Sequence, residues 1–318
     1  MRGKSWAGVA AVALLLGAAG LLLIHPAWAT NLWGADYFPN VPLRTQDGTT
    51  VRLYDDLLKG KAVAINLIYT SCKDECPLET ARLVQVQRLL GDRVGKDLFF
   101  YSLSSDPTHD TPAVLKAYAE KFGVGPGWLF LTGSEDDLKL VAKKLGLSRP
   151  NDPATRDGHQ PILMLGHEPT GQWMRNSAVA SPKYLATTLS NFLGWQHPPA
   201  EWRYTAAQLL SPEAGVLLFQ NRCSACHTIG KGDAVGPDLA GVTTRRARDW
   251  LVRYLRAPDQ LLAEQDPIAV ALLAQYKEVP MPNLRLSDGE IATVLAYLDA
   301  QRVAAPPGRA GPDAAAAR

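Results

Sequence analysis

The apolar positions of this chain change their period several times, and the changes mark out its elements. Residues 61–70, "KAVAINLIYT", form a short apolar run rich in β-branched and aromatic side chains, the signature of a buried strand. After Pro77 the apolar positions move to helical spacing, Leu83, Val86 and Leu90, and the pattern stops at Gly91. A second strand, "LFFYSL" from Leu98 to Leu103, leads to a helix started by Thr111-Pro112, with Leu115, Tyr118 and Phe122 on its apolar face and Gly123 at its end. "WLFL", Trp128 to Leu131, is followed by a helix from Ser134 through Leu138, Val141 and Leu145 to Gly146. "PILMLG" (161–166) and "QWMR" (172–175) read as two strands joined by a polar turn, and a last helix runs from Pro182 to Phe192. The order β-α-β-α-β-α-β-β-α predicts a three-layer α/β domain.

Past Gly194 the text becomes "GWQHPPAEWRYTAAQLLSP", centred on Pro198-Pro199, which reads as a linker. Only helical patterns follow, over Glu213 to Asn221, Arg248 to Arg256 and Asp288 to Ala300, so the second domain is expected to be small and all-α. The final "AAPPGRAGPDAAAAR" has no large apolar residue to bury and is expected to be a disordered tail. The resulting division is 1–29 for an N-terminal leader, 30–197 and 198–211 for the first domain and linker, and 212–303 and 304–318 for the second domain and tail.

Composition adds little until the N-terminus. With 318 residues and 47% hydrophobic content the chain is long enough for two cores. Its net charge of +2 is evenly distributed, with 13 Lys+Arg against 13 Asp+Glu in residues 198–318, which argues against nucleic acid as a partner. Arg2 and Lys4 precede an uncharged apolar run from Trp6 to Ile24, and Ala27-Trp28-Ala29 supplies an A-x-A cleavage site. An export signal is the expectation, either cut or retained as a membrane anchor. The rest of the chain would then lie outside the cytoplasm, in the periplasm or on the outer face of the inner membrane, where cysteines oxidise by default.

The 4 cysteines form two close pairs. "CSACH", Cys223 to His227, is the C-x-x-C-H pattern in which two thioethers hold a c-type haem and the adjacent histidine reaches the iron. Among the 4 methionines Met1 is the initiator, Met164 and Met174 lie in apolar strands, and Met281 stands between two prolines in "VPMPN", a loop that cannot be regular helix. That is how a thioether would be offered to iron. His227/Met281 ligation closes both axial positions and suits electron transfer rather than oxygen chemistry. On these motifs residues 212–303 resemble a small class I cytochrome c. The resemblance implies that Pro237, in "GPDLAG", lies against the ligand histidine and that the final helix packs over the first one of the domain. The basic run "RRARDWLVRYLR" (245–256) reads as a solvated helix face, with a docking patch as the alternative.

Cys72 and Cys76, in "TSCKDECPLE", admit three readings. Thioredoxin-like disulfide chemistry uses C-x-x-C, and the extra residue here changes the loop. Structural zinc wants four closed ligands, and this half of the chain supplies two sulfurs. Cu(I) is soft and needs only two thiolates and an imidazole. Pro77 at the first helical position would make Cys76 the cap, where the helix dipole favours thiolate. His109, His159, His167 and His197 are the available imidazoles beyond the leader, besides His227 of the haem motif. His167 follows the strand "PILMLG" at the end away from the cysteines, His109 sits in a turn and His197 in the linker. The loop entering that strand, with Gly158 beside His159, points to His159 as the third ligand.

"YTSCKDECP", "SSDPTHDTP" and "RDGHQPILMLG" resemble the SCO/SenC copper chaperones, over about residues 36–195. The resemblance implies an α/β thioredoxin-like fold, one copper held by Cys72, Cys76 and His159, and Asp106 as a supporting residue behind the ligands. Where the family places Asp before and Ser after the distal histidine, this chain has Gly158 and Gln160. It further implies delivery of copper to the copper A centre of a cytochrome c oxidase subunit during oxidase assembly, here by a chaperone that also carries haem c. A thiol-disulfide reductase drawing electrons through the haem is the alternative.

Overall fold

The computed structural model describes residues 33–72, 75–148, 161–195 and 214–301. The leader, the linker, the tail, and His159 and His197 therefore lie outside the described residues. Seven strands form one sheet: β1 (Pro42–Thr45), β2 (Thr50–Arg52), β3 (Ala62–Ile68), β4 (Phe99–Ser104), β5 (Trp128–Thr132), β6 (Ile162–His167) and β7 (Gln172–Ser177). Their order is β2-β1-β5-β4-β3-β6-β7, with β3, β4 and β5 parallel and β6 and β7 antiparallel to their neighbours. This is a thioredoxin-like sheet extended by a hairpin at one edge.

The hairpin β1–β2 is the one part of the sheet that periodicity does not announce. Its strands have 4 and 3 residues, too short for an alternation to register, and β1 is held by antiparallel pairing of Arg44 with Thr132 and Thr45 with Leu131. The other strands fall where the apolar runs place them.

Helices α1 (Glu75–Leu90), α2 (Pro112–Phe122), α3 (Glu135–Lys144) and α4 (Pro182–Phe192) carry the expected stops and starts. Thr111 accepts from the Val114 N–H as an N-cap, and Gly123 ends α2 in the left-handed region at φ 67°. Alternation along the strands divides the core in two. Ala62, Ala64, Ile68, Phe100 and Phe130 face α1, α2 and α4, while Val63, Ile65, Tyr101 and Leu131 face α3 and the hairpin. The three layers follow.

Helices are the only regular elements among the described residues of the second domain: α5 (Ala214–Arg222), α6 (Val242–Arg245), α7 (Arg248–Arg256), α8 (Pro258–Ala263), α9 (Pro267–Gln275) and α10 (Asp288–Ala300). Helices α6, α8 and α9 are additions to the sequence reading. The last two each begin on a proline, whose missing N–H costs nothing in a first turn, and Asp266 caps α9. As the resemblance implied, α10 crosses α5, with Phe219, Cys223, Val294 and Leu298 buried between them. The crossing is close because Gly215 has no side chain: a Cβ there would lie 2.6 Å from Tyr297 Cβ. Gly215→Val is accordingly expected to cost about 1–3 kcal/mol by overpacking, read as a lower thermal midpoint for the haem domain. An unchanged midpoint would show the crossing to be slack.

Candidate metal and haem sites

β3 runs out at Ile68 into Tyr69, Thr70, Ser71 and Cys72, at the carboxyl end of the parallel strands where α/β folds place their sites. A buried carboxylate helps to hold this loop. Asp110, fully buried, accepts from Thr70 N at 3.2 Å, Thr70 Oγ1 at 2.5 Å and Ser104 Oγ at 2.6 Å. Asp106 heads the turn that presents Asp110: its carbonyl accepts from Asp110 N at 2.9 Å, and its carboxylate accepts from Thr108 Oγ1 at 2.7 Å. Asp110, four positions beyond Asp106, thus ties down the cysteine loop, and Asp106 supports it by heading the turn. A polar residue between a proline turn and a helix start looks like turn chemistry, and only the fold brings it to Thr70.

Helix α1 starts at Glu75, so Cys76 is its second residue and Pro77 its third. The expected cap position for Cys76 is corrected: it lies inside the first turn, two positions past the cap. Proline is tolerated through the first helical turn because those N–H groups have no partner in the helix. Cys72 and Cys76 are 3% and 0% exposed, their thiols hydrogen-bond to each other, and no disulfide joins them.

Burial, aided by the Cys72 thiol and the charge of Glu79, pushes the Cys76 thiol well above its ordinary range. The expected thiolate is corrected to a thiol: desolvation outweighs the helix dipole. A bound soft cation would replace the proton. Glu79 itself belongs to a buried chain: its Oε2 accepts from Asn66 Nδ2 at 3.1 Å, Asn66 Oδ1 accepts from Ser102 Oγ at 2.8 Å, and Ser102 Oγ accepts from Trp128 Nε1 at 2.9 Å. The one sequence signal for it is Asn66, a lone amide inside an apolar strand.

Among the described residues no three His, Cys, Asp or Glu side chains are gathered closely enough to hold a metal. His167 does not join the cysteine pair, since it pairs with Ala62 at the opposite end of β3 and its Nδ1 meets Thr170 Oγ1 at 2.8 Å. Ile162, three residues after His159, opens β6 at the cysteine end of the antiparallel β3–β6 pair.

In the second domain Cys226, His227 and Met281 line one crevice enclosing about 570 Å³, open solvent included, with Val235, Tyr254 and Tyr276 among its walls. The residues fit a c-type haem. His227 Nδ1 donates to the Pro237 carbonyl at 2.9 Å, which leaves Nε2 without a proton, and burial lowers the imidazole's pKa, so the ring is a neutral ligand. Pro237 therefore does lie against the histidine. Gly236 is equally needed, because a Cβ there would come within 2.7 Å of His227 Cε1.

Burial raises the thiols of Cys223 and Cys226 to about 12, which disfavours a redox thiolate and agrees with sulfurs meant for thioethers. Met281 reaches the crevice after Lys277 and Glu278, which turn the chain in the left-handed region at φ 55° and 57°. Strained non-glycine residues of this kind gather at ligand clamps. The basic run behaves as a solvated face: Arg245 donates to the Ala240 and Asp238 carbonyls, Arg253 pairs with Glu264 and Arg256 with Asp288.

Residues 39–173 match the family described as SCO1/SenC, and residues 212–301 match cytochrome c. The first region is 34% identical over 103 residues to the SCO1 protein homolog of Bacillus subtilis, a match spanning 32% of this chain and 52% of that protein. It is 27% identical over 163 residues to protein SenC of Rhodobacter capsulatus, spanning 50% of this chain and 72% of that protein. The crystal structure of yeast Sco1 with copper bound aligns at 27% identity and a TM-score of 0.40, over 52% of this chain and 98% of that one. BsSco, described as a member of the Sco family of cytochrome c oxidase assembly proteins with a disulfide switch, aligns at 27% identity and a TM-score of 0.41, over 49% of this chain and 94% of that one. The chain spans about half the length of several of the curated relatives that it matches.

Proposed function

We propose that this chain, which carries an SCO1/SenC domain followed by a cytochrome c domain, is an exported copper chaperone with an attached electron carrier, acting at the periplasmic face of a membrane in the assembly of the copper A centre of cytochrome c oxidase. The observation that carries this reading is the reduced, buried Cys72/Cys76 pair at the end of β3, inside the region that matches SCO1/SenC. Copper is the cargo. Cys72, Cys76 and His159 are its ligands, and the binding of Cu(I) displaces the cysteine protons.

Cys223 and Cys226 would hold the haem, and His227 and Met281 would supply the ligands to its iron. When bound it supplies reversible one-electron chemistry, which matches the Cu(II)/Cu(I) couple better than a two-electron disulfide. The protein's own residues do the rest: Pro237 fixes the imidazole's tautomer and Gly236 makes room for it.

The deciding experiment is the copper A content of oxidase purified from a strain lacking this protein. Depletion restored by added copper is expected; normal copper A would overturn the assignment. Asp110→Ala, which frees the Thr70–Cys72 loop, is expected to weaken Cu(I) affinity about 10–100-fold in competition with a chelator, the range typical of residues that orient metal ligands. Equal affinity in parent and variant would mean that the loop holds its place unaided.

A second reading, thiol-disulfide reductase, is favoured by the hydrogen bond between the two thiols. Retention of one copper per chain without turnover of a disulfide substrate separates the two.

A further inference from the structure

Helix α1 is buried on more sides than its place in the layer requires. Leu83, Val86 and Leu90 point to the sheet, as their spacing predicts, and the other side of such a helix ordinarily faces water. Yet Pro77, Leu78, Ala81 and Arg82 are buried too. Besides α2 and α4, which pack on α1, the haem-cysteine segment of the second domain lies against it. Gln85 Nε2 donates to the carbonyls of Ser224 at 3.0 Å and Ala225 at 3.1 Å, and the Arg82 guanidinium donates to the Asn221 carbonyl. Pro77, the residue next to Cys76, forms part of the wall of the crevice that contains Cys226, His227 and Met281. Ala225, between the haem cysteines, belongs to the same buried cluster as Cys72 and Cys76. Farther out, Lys121 of α2 meets Glu278 at 3.4 Å, beside the turn leading to Met281.

We infer that the second domain is the resident occupant of the face through which a metal ion and its acceptor reach Cys72 and Cys76, so that loading and handover require the two domains to part. This rests on reading the pair as a copper site. Transfer between proteins proceeds by ligand exchange, and the acceptor's own thiolate or imidazole must come within bonding distance of a sulfur. With Cys72 and Cys76 at 3% and 0% exposure and Pro77 already in the wall of the haem crevice, such an acceptor meets the second domain first. The contact is suited to separation. Among the described residues, apart from apolar packing, it consists of hydrogen bonds to main-chain carbonyls, which water can replace, and an ion pair whose Glu278 side chain is 76% exposed.

The test needs no metal. The reduced, haem-loaded full-length protein, in which Cys223 and Cys226 are consumed as thioethers, is treated with N-ethylmaleimide, and labelling of Cys72 and Cys76 is followed by mass spectrometry. Slow labelling is expected for the parent. Gln85→Glu, which sets a carboxylate against two carbonyls, and Lys121→Glu, which sets a like charge against Glu278 from the surface of α2, are each expected to raise the rate at least tenfold with the Soret band unchanged. Equal rates in parent and both variants would overturn the inference. Loading from a Cu(I)–bicinchoninate donor is then compared, with parallel acceleration expected. If neither protein takes copper while the labelling rates still differ, the capped face stands and the chaperone reading fails.

Discussion

Serine in place of Cys72 or Cys76 is expected to abolish Cu(I) binding by the full-length protein. Each thiol supplies half of the soft donors, and a hydroxyl at either position leaves a single sulfur for a cation that prefers two. The loss should exceed the hundredfold seen for supporting residues, because a ligand itself is removed. The fold should survive, since Ser is smaller than Cys and the two thiols are not bonded. His159→Ala is expected to weaken binding without eliminating it, and His167→Ala, at the far end of β3, to leave it unchanged. Chelator competition followed by copper analysis of the desalted protein gives the answer. Unchanged affinity in His159→Ala would remove that residue from the ligand set, and weakened affinity in His167→Ala would place the site at the wrong end of the sheet.

The second large effect is expected at Met281. A thioether favours ferrous iron, and axial ligands as a class move haem potentials over roughly 0.8 V. Met281→Ala should therefore lower the midpoint potential by on the order of 0.1 V or more and open a coordination position to imidazole or cyanide. Met281 lines the crevice with His227 and is held there by the turn at Lys277 and Glu278 and by its flanking prolines, so no neighbouring methionine is placed to substitute. A parent-like absorption spectrum and an unchanged potential in the variant would show that another group ligates the iron.

Much of this protein is written in short-range patterns. Helices α1 to α4 were legible because capping residues and apolar faces recur within three or four positions, and α4 coincides with its expected span from Pro182 to Phe192. The haem pair and its histidine were legible for the same reason: the attachment chemistry needs residues one turn apart, and "CSACH" contains them. Helices α8 and α9 went unread although their prolines signal them, because their apolar positions follow no clear single face.

What the sequence by itself determined, then, is the identity of the reacting groups, two cysteine pairs with a histidine and a methionine, and the order of the elements that carry them. Only the tertiary structure decided the rest, and the reason is physical. Hairpin β1–β2 exists because β5 offers it an edge far along the chain. Asp110 matters because parallel strands bring the loop after β4 beside the loop after β3. The protonation of Cys76 follows from desolvation, which depends on what covers a group rather than on its neighbours in sequence. Gln85 and Arg82 are ordinary helix-surface residues until a second domain lies against them, and the covering of α1 is a property of two domains together.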